Sequence, residues 1–409
     1  MRYLIDTNVL INDPDAIFKF GEHSIYVPFI VIVELDGLKK RQDETGRSAR
    51  RATQNIDSLR ELGTLNAGVR LKNGGEFFVI EPVSEVKFTH QPMNDDVILQ
   101  HCLDIGATLI TEDVAMRIKA DSLGVQVERY KNCIVETDVF DKPNNIVELS
   151  PSEIDMIYGK DGVPNDGMDG QYLVAKSGSQ SALVRRIAGF LHLVEPISLM
   201  GGKAQPKNKE QVFLVDALMD PTVSLVAATG MAGTGKTLLA VAAGLEQTVE
   251  RDARFKKMVV SRPTTPMGKD IGFLPGTMEE KMEPWMKPIQ DSIEFLVKRN
   301  GDMFFTTKKI VVESLTFMRG RSLPDQFILI DEAQNLSKHE IKTIVTRAGK
   351  GTKIILTGDI EQIDDPYLNR DNNGLTYLIN KFNGHRLFAH VHLTKGERSE
   401  LAELAAKLL

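Results

Sequence analysis

Eight consecutive residues carry the most specific chemistry in the chain: Gly230, Met231, Ala232, Gly233, Thr234, Gly235, Lys236 and Thr237. Their spacing, G-x-x-x-x-G-K-T, lies between the apolar run VSLVAAT (223–229) and the apolar helical pattern TLLAVAAGL, the context a triphosphate site needs. Glycines let backbone N–H groups wrap a β-phosphate, and the following helix start adds partial positive charge. Lys236 would reach the β- and γ-phosphates of ATP, and the Thr237 hydroxyl would ligate magnesium. A carboxylate must share that ion, and the apolar strand FILID delivers Asp331 for it. Glu332 is then placed to activate a water, which reads as a hydrolase rather than a kinase. Further on, the strand KIILTGD ends in Asp359, with Gln362 three positions later. A polar group there can sense the γ-phosphate, although Asp359-x-x-Gln362 alone also reads as an ordinary turn.

A second set of acids precedes this one. Asp6 follows the strand pattern YLI (3–5), and Glu34 follows VIV at the start of a helical stretch. Asp95 and Asp96 begin the helical pattern DVILQHCL, and Asp113 follows TLIT. In a parallel α/β sheet functional groups gather at the carboxyl ends of strands. Carboxylates converging there repel one another unless a hard cation neutralises them, so Mg²⁺ or Mn²⁺ is the natural occupant. One or two such ions can generate a hydroxide and stabilise a phosphodiester transition state. Taken singly, Asp95 and Asp113 also fit as helix N-caps. Beside these acids runs KKRQDETGRSARR (39–51), with six basic residues (Lys39, Lys40, Arg41, Arg47, Arg50, Arg51) against two acidic ones. Such a run is either a solvated helix face or a strip for nucleic-acid phosphates. Lys269 and Phe273 in GKDIGFLPG, with Lys281 beyond, could touch single-stranded RNA by charge and stacking, though Phe273 serves equally as packing.

These residues need elements to hold them, and the chain supplies an alternation of strands and helices. At 409 residues two or three domains are expected. Residues 1–140 alternate short apolar runs with amphipathic stretches. SIYVPFIVIVEL (24–35), FFVI (77–80), ATLIT (107–111) and VQVE (125–128) read as strands. DVILQHCLDIG (96–106) and DVAMRIKADSLG (113–124) read as helices, so the whole implies a parallel sheet covered on both faces. Residues 141–204 hold turn chemistry (KPNN, YGKDGVPNDGMDGQ, KSGSQS) around the strand-like QYLVA and SALVRRI, a small β-rich connector. From residue 205 to 409 the alternation returns, with KMVVS (257–261), KIVVES (309–314) and HVHL (390–393) as further strands.

Composition sets limits. The net charge of −6 excludes a global basic field, so any polyanion must be met by local patches. Two cysteines, Cys102 and Cys133, cannot build a disulfide scaffold or a four-thiolate zinc site. No run reaches the ~18 apolar residues of a membrane span. Asp6 stands where a signal peptide would need its apolar region. A cytoplasmic protein without membrane association is expected.

The quoted residues carry two resemblances. GMAGTGKT, DEAQN and TGD-x-x-Q resemble the first three ATPase motifs of superfamily 1 helicases. PKNKEQ (206–211), SRPTTPMGKDIGFLPG (261–276), RGRSLPDQFILIDEAQN (319–335) and TRAGKGTKIILTGDIEQID (346–364) are closer still to the PhoH-like ATPases. That resemblance implies a RecA-like P-loop fold over 205–409, with Asn208 and Gln211 as an adenine-reading motif. DTNVL (6–10), VELDGL (33–38), NDDVIL (94–99) and TEDVAMR (111–117) resemble, in order, the four signature regions of a PIN domain. This second resemblance covers about 1–135 and implies a parallel α/β/α sandwich with metal-dependent ribonuclease activity. Asp6, Glu34, Asp95 and Asp113 would be its acidic set, Asp96 an auxiliary, and Asn8 and Thr111 positioning groups.

The expectation is therefore a fusion in which ATP-dependent RNA unwinding or translocation is coupled to endoribonucleolytic cleavage. An ATP-driven RNA- or protein-binding switch with a non-cleaving PIN fold, or a DNA helicase, are the alternatives. About 45 residues follow Gln362, too few for the second lobe that closes a superfamily 1 site. A transition-state arginine should then come from the tail or from a neighbouring subunit, Arg398 before Arg347, within a homo-oligomeric ring such as a hexamer. Arg398 could instead cap or salt-bridge the last helix.

Overall fold

The computed structural model describes residues 1–41, 44–81, 85–89, 93–130, 146–249, 253–263, 278–297, 309–313, 315, 322–365 and 368–396. The chain divides into two compact units, Met1–Ile134 and Val135–Leu409. Lys269, Phe273, Cys133 and Arg398 lie outside the described residues, as does the side chain of Lys281.

In the first unit the order is β1 (Arg2–Ile5), α1 (Thr7–Asn12), β2 (Ser24–Pro28), α2 (Phe29–Leu38), α3 (Glu44–Ser58), β3 (Val69–Arg70), β4 (Glu76–Ile80), α4 (Asn94–Ile105), β5 (Thr108–Ile110), α5 (Val114–Ser122) and β6 (Val127–Glu128). The sheet runs β3-β4-β2-β1-β5-β6. Only the hairpin partner β3 is antiparallel; β1 pairs in parallel with β2 and β5, Leu4 standing opposite Tyr26 and Leu109. Leu4, Ile5, Ile25, Val27 and Leu109 are fully buried, which is why these short runs are continuously apolar rather than alternating. One expectation fails. The stretch 24–35 is not a single strand, because β2 stops at Pro28 and α2 begins at Phe29. Branched residues such as Ile30, Val31, Ile32 and Val33 favour strands locally. Val31 and Leu35 find their burial against the core from a helix, so packing overrides propensity. Glu34 thus lies inside α2, not after a strand.

The second unit begins with β7 (Ile146–Glu148), α6 (Pro151–Tyr158), β8 (Val163–Pro164), β9 (Tyr172–Ser177), β10 (Gln180–Ile187) and β11 (Phe190–Leu193). They form a five-stranded sheet, β7-β9-β10-β11-β8, around a small core that includes Ile154, Ile157, Leu173 and Val184. Then follow α7 (Lys209–Met219), β12 (Leu225–Gly230), α8 (Lys236–Val249), β13 (Lys257–Ser261), α9 (Met278–Val297), β14 (Ile310–Val312), β15 (Gln326–Ile330), α10 (Lys338–Val345), β16 (Lys353–Gly358), α11 (Gly374–Phe382) and β17 (Phe388–Leu393). Their sheet, β14-β13-β15-β16-β12-β17, is parallel throughout. Two apolar clusters cover its two faces, as a doubly wound P-loop fold requires. HVHL proves to be the end of β17, an edge strand on β12.

The five-stranded sheet and the C-terminal end of α7 meet at a polar cluster. The Tyr172 hydroxyl donates to Asp216 Oδ2 at 2.7 Å, and Arg185 pairs with Asp220 while lying 5.3 Å over the Tyr172 ring. Lys353 Nζ donates to the carbonyls of Ala217 and Asp220 at 2.7 and 2.8 Å, closing the C-terminal end of α7. Burial pulls its pKa down to about 7. No helix among the described residues is long and apolar enough to cross a membrane.

Candidate functional site

The loop 230–235 turns sharply between β12 and α8, and its glycines make that turn possible. Gly230, Gly233 and Gly235 all have positive φ, at 137°, 82° and 88°. A Cβ on Gly230 would overlap the Leu393 carbonyl of β17, so the edge strand also demands glycine here. Lys236 is only 8% exposed and folds over its own loop, donating to the carbonyls of Gly230 at 2.5 Å and Met231 at 2.8 Å. Thr237 Oγ1 donates to Asp331 Oδ1 at 2.8 Å, and Thr357 Oγ1 donates to the same oxygen at 2.6 Å. The pair Thr237–Asp331 expected from sequence is therefore assembled, with Thr357 an orienting hydroxyl that sequence reading missed.

A cavity of about 320 Å³ opens above this loop. Ala232, Gly233, Gly235, Lys236 and Thr237 line it together with Asp331, Glu332, Asp359, Gln362 and Arg262. Glu332 sits just past β15 in a left-handed conformation, φ 54°, which a non-glycine residue adopts at a cost. Both its carboxylate oxygens have partners. Arg262 donates to Oε1 at 3.1 Å, and Gln334 donates to Oε2 at 2.7 Å. Asp359 Oδ2 accepts from the Ala232 N–H at 3.1 Å, tying the end of β16 to the phosphate loop. The Gln362 N–H bonds back to the Asp359 carbonyl at 3.1 Å, so this segment is both a turn and part of the cavity wall.

Asn208 and Gln211 stand at the start of α7. The Asn208 side chain caps the helix by accepting from the Gln211 N–H at 3.0 Å. Gln211 is 4% exposed; its amide accepts from Lys207 N–H at 2.7 Å and donates to the Thr234 carbonyl at 3.0 Å. It links the helix before the loop to the loop itself. Arg347, at the end of α10, does not line the cavity. Its Nε is buried without a partner among the described residues. Arg262, by contrast, lines the cavity and went unassigned in the sequence, although it lies in the quoted stretch SRPTTPMGKDIGFLPG.

In the first unit Asp6 follows β1 and is 6% exposed. Its Oδ1 accepts from the Thr7 N–H and its Oδ2 from Thr111 Oγ1, both at 2.6 Å. Burial raises its pKa to about 6 in spite of these bonds, and the charges of Glu34 and Asp95 push the same way. Glu34 accepts from the hydroxyl of Thr7 and from Asn94 Nδ2, the latter at 2.7 Å. Lys119 Nζ stands 3.4 Å from Asp95 and 3.7 Å from Asp96, while Asp96 Oδ2 accepts from the Met93 N–H at 2.9 Å. Asp113 caps α5 through the Met116 N–H at 3.0 Å, its N-cap reading. Asn8 donates to Thr111 Oγ1 at 3.1 Å, and the same oxygen accepts from Asp113 N–H at 3.1 Å, so Thr111 joins Asp6 to Asp113. Thr7, Asn94 and Lys119 are the partners not anticipated from sequence. Thr7 and Asn94 adjoin the acids in DTN and NDD, a signal that was present but unused.

Among the described residues no three acidic, His or Cys side chains already form a metal-binding group. The donor chemistry nevertheless suits a hard divalent ion. A buried carboxylate whose neighbours are also carboxylates gains most from a cation placed between them.

Of the basic run, Arg50 donates to the carbonyls of Lys39 and Arg41, Arg51 pairs with Asp15 at 2.5 Å, and Lys39 pairs with Asp36. Lys40 and Arg47 point to solvent.

Residues 203–408 match the model of the PhoH-like protein family, and residues 3–131 match a PIN domain. Protein PhoH2 of Bacillus subtilis is 41% identical over 442 aligned residues, spanning 100% of this chain and 99% of that protein. Protein PhoH2 of Mycolicibacterium smegmatis is 33% identical over 100% of this chain and 96% of its own, and that of Thermobispora bispora 32% over 100% and 96%. A P-loop ATPase unit follows an acid-bearing PIN unit along one chain, which therefore belongs to the PhoH2 family of PIN–PhoH fusions.

Proposed function

We propose that this protein is a cytoplasmic ATP-driven RNA helicase or translocase whose PIN domain is a divalent-metal-dependent endoribonuclease. The domain limits of that reading are 1–140, 141–204 and 205–409. The observation that carries it is the cavity in which Lys236, Thr237, Asp331 and Glu332 converge, on the same chain as the coupled acids Asp6, Glu34 and Asp95. In the ATPase, Lys236 leaves its loop carbonyls to neutralise the β- and γ-phosphates, while Gln211 braces the loop, Asn208 caps α7, and the two serve as the adenine-reading motif. Glu332 takes the proton of the attacking water. Asp359 and Gln362 sense the γ-phosphate. Thr237 and Asp331 would hold a magnesium ion, which would supply positive charge against the phosphates. In the nuclease, Asp6, Glu34, Asp95 and Asp113, with Asp96 beside them, would hold Mg²⁺ or Mn²⁺, and such an ion would supply an activated water for phosphodiester cleavage. Asn8 and Thr111 orient Asp6 and Asp113. Lys39, Lys40, Arg41, Arg47, Arg50 and Arg51 offer charge to the RNA backbone, and Lys269 and Phe273 hold a single strand.

Labelled RNA and DNA, each with and without ATP and Mn²⁺, separate the readings. Metal-dependent cutting of RNA and ATP-dependent unwinding support the proposal. Unwinding of DNA alone favours a DNA helicase, and ATP turnover with no cutting favours a switch.

The same proposal includes a homo-oligomeric ring, a hexamer by analogy with RecA-like motors, in which Arg398 completes the neighbour's site, with Arg347 as the second choice. Mixing Arg398→Ala with Lys236→Ala subunits should restore part of the ATPase activity, because some interfaces then pair an intact loop with an intact arginine. No recovery in any mixture means that the arginine does not act in trans.

A further inference from the structure

We infer that Arg262 is a further catalytic residue of the ATPase: its guanidinium leaves Glu332 for the γ-phosphate when ATP binds, and so frees the general base. The inference rests on the ATPase reading above and names a residue which that reading leaves without a task. Arg262 directly follows β13, and the backbone there is fixed, since the Asp331 N–H donates to the Ser261 carbonyl at 2.9 Å. It lines the same cavity as Lys236 and Thr237, so its charge adjoins the space that triphosphate would fill.

The two oxygens of Glu332 are held differently. Oε2 is held by Gln334, and Gln334 is itself anchored: its amide also donates to the Gln362 carbonyl at 2.8 Å and accepts from the Asp359 N–H at 3.1 Å. Oε1 accepts from Arg262 at 3.1 Å, in a pair whose side chains remain 22% and 32% exposed. Water reaches both partners, so solvent screens part of their attraction. A phosphate offers the guanidinium more charge and a matching two-pronged geometry, so ATP should win the exchange. Lys236 is in the same position, resting on loop carbonyls that a phosphate would replace.

After the exchange Gln334 still fixes Oε2, and Oε1 faces the cavity ready for a water. The step then balances. The oxygen of that water bonds to the γ-phosphorus, its proton passes to Glu332 Oε1, and the bond from phosphorus to the bridging oxygen breaks with its electron pair leaving on ADP. Arg262 and Lys236 offset the charge that builds on the transferring group. With ADP the γ-phosphate is absent, so Arg262 returns to Glu332 and the base is masked again.

The test compares ADP with the non-hydrolysable ATP analogue AMP-PNP on the full chain, by calorimetry, alongside steady-state ATPase measurements. Arg262→Ala should weaken AMP-PNP at least ~10-fold and lower kcat by ~100-fold or more, the scale of a lost transition-state arginine. ADP affinity should stay within about twofold of wild type, which also reports that the site is folded. Arg262→Lys should recover part of the AMP-PNP affinity, since the charge is kept and the fork lost. Equal losses for ADP and AMP-PNP overturn the inference in favour of a structural role. Unchanged AMP-PNP affinity with faster turnover overturns it in favour of a simple brake on Glu332. A wild type that binds neither nucleotide sinks the ATPase reading and this inference with it, whereas an active wild type beside either of the preceding results sinks the inference alone.

Discussion

The two candidate sites are built on the same architectural plan and reach different states of readiness. Both lie at the carboxyl ends of parallel strands. In the ATPase unit the functional groups come from β12, β13, β15 and β16, all fully paired, and their side chains already touch: Thr237 on Asp331, Thr357 on Asp331, Arg262 and Gln334 on Glu332. In the PIN unit the acids come from the end of β1, the middle of α2, the first turn of α4 and the cap of α5. Each of these acids is held by a group that is not a metal, whether a hydroxyl, an amide, an ammonium or a helix N–H. The cavity of the ATPase unit is organised by hydrogen bonds between the side chains that line it. The acid site is organised by second partners, each holding one carboxylate apart from its like-charged neighbours. The lesson is that preassembly is possible where charges of both signs share a site, and is resisted where all are negative.

That contrast can be broken by mutation, and Lys236→Ala should have the largest effect. Losing the cation that faces the β- and γ-phosphates should cut ATP turnover at least ~100-fold. Cutting of an unstructured RNA oligomer should persist, because the acids lie in the other unit; parallel loss of cutting in a folded mutant would contradict two separate sites.

Asp6→Asn should do the reverse, abolishing cleavage by well over ~10-fold while leaving ATP hydrolysis intact, since even outer partners of metal ligands are worth about 10–100-fold. Excess Mn²⁺ should rescue part of it. A cleavage rate equal to wild type would place the nuclease elsewhere.

Thr111→Val sharpens the comparison at smaller scale. It removes one hydroxyl that joins Asp6 to Asp113 and to Asn8, so cleavage should fall about 10-fold with a raised metal requirement. A metal titration identical to wild type would mean that Thr111 only packs.

The smallest effect concerns stability rather than activity. Lys353 titrates at about 7 in the fold against its ordinary 10.5, because burial disfavours its charged form. Between those values the unfolded chain holds the extra proton, so stability should rise with pH from about 7 towards 10.5 and level off below 7, where both states are protonated. Lys353→Met should flatten that slope in denaturant titrations of the full chain across this range. An undiminished slope would assign it to other groups.

How much of this was legible in the sequence differs between the sites for a physical reason. The phosphate loop is contiguous, so residue types, spacing and flanking apolar runs state its geometry almost in full. Asp331 and Glu332 are legible because an apolar strand must end where they begin. Arg262 was not, because an arginine after a strand has meaning only once β13 is known to lie beside β15. Glu34 was found as a residue but placed in the wrong element, since branched apolar residues do not say whether a strand or a buried helix will claim them. Asp113 had both its readings stated, and its capping role is a local one that the strand-then-helix pattern already allowed.

The sequence alone determined the order of units, the alternation of strands and helices and the phosphate loop, because each is written in neighbouring residues or in short periodicities. Only the tertiary structure decided which strands lie side by side. From that follow the partners of Glu332, the hydroxyls of Thr357 and Thr111 on their carboxylates, and the raised pKa of Asp6. These are contacts between groups distant in the chain, and burial, charge and register across a sheet are properties of the assembled core rather than of any segment.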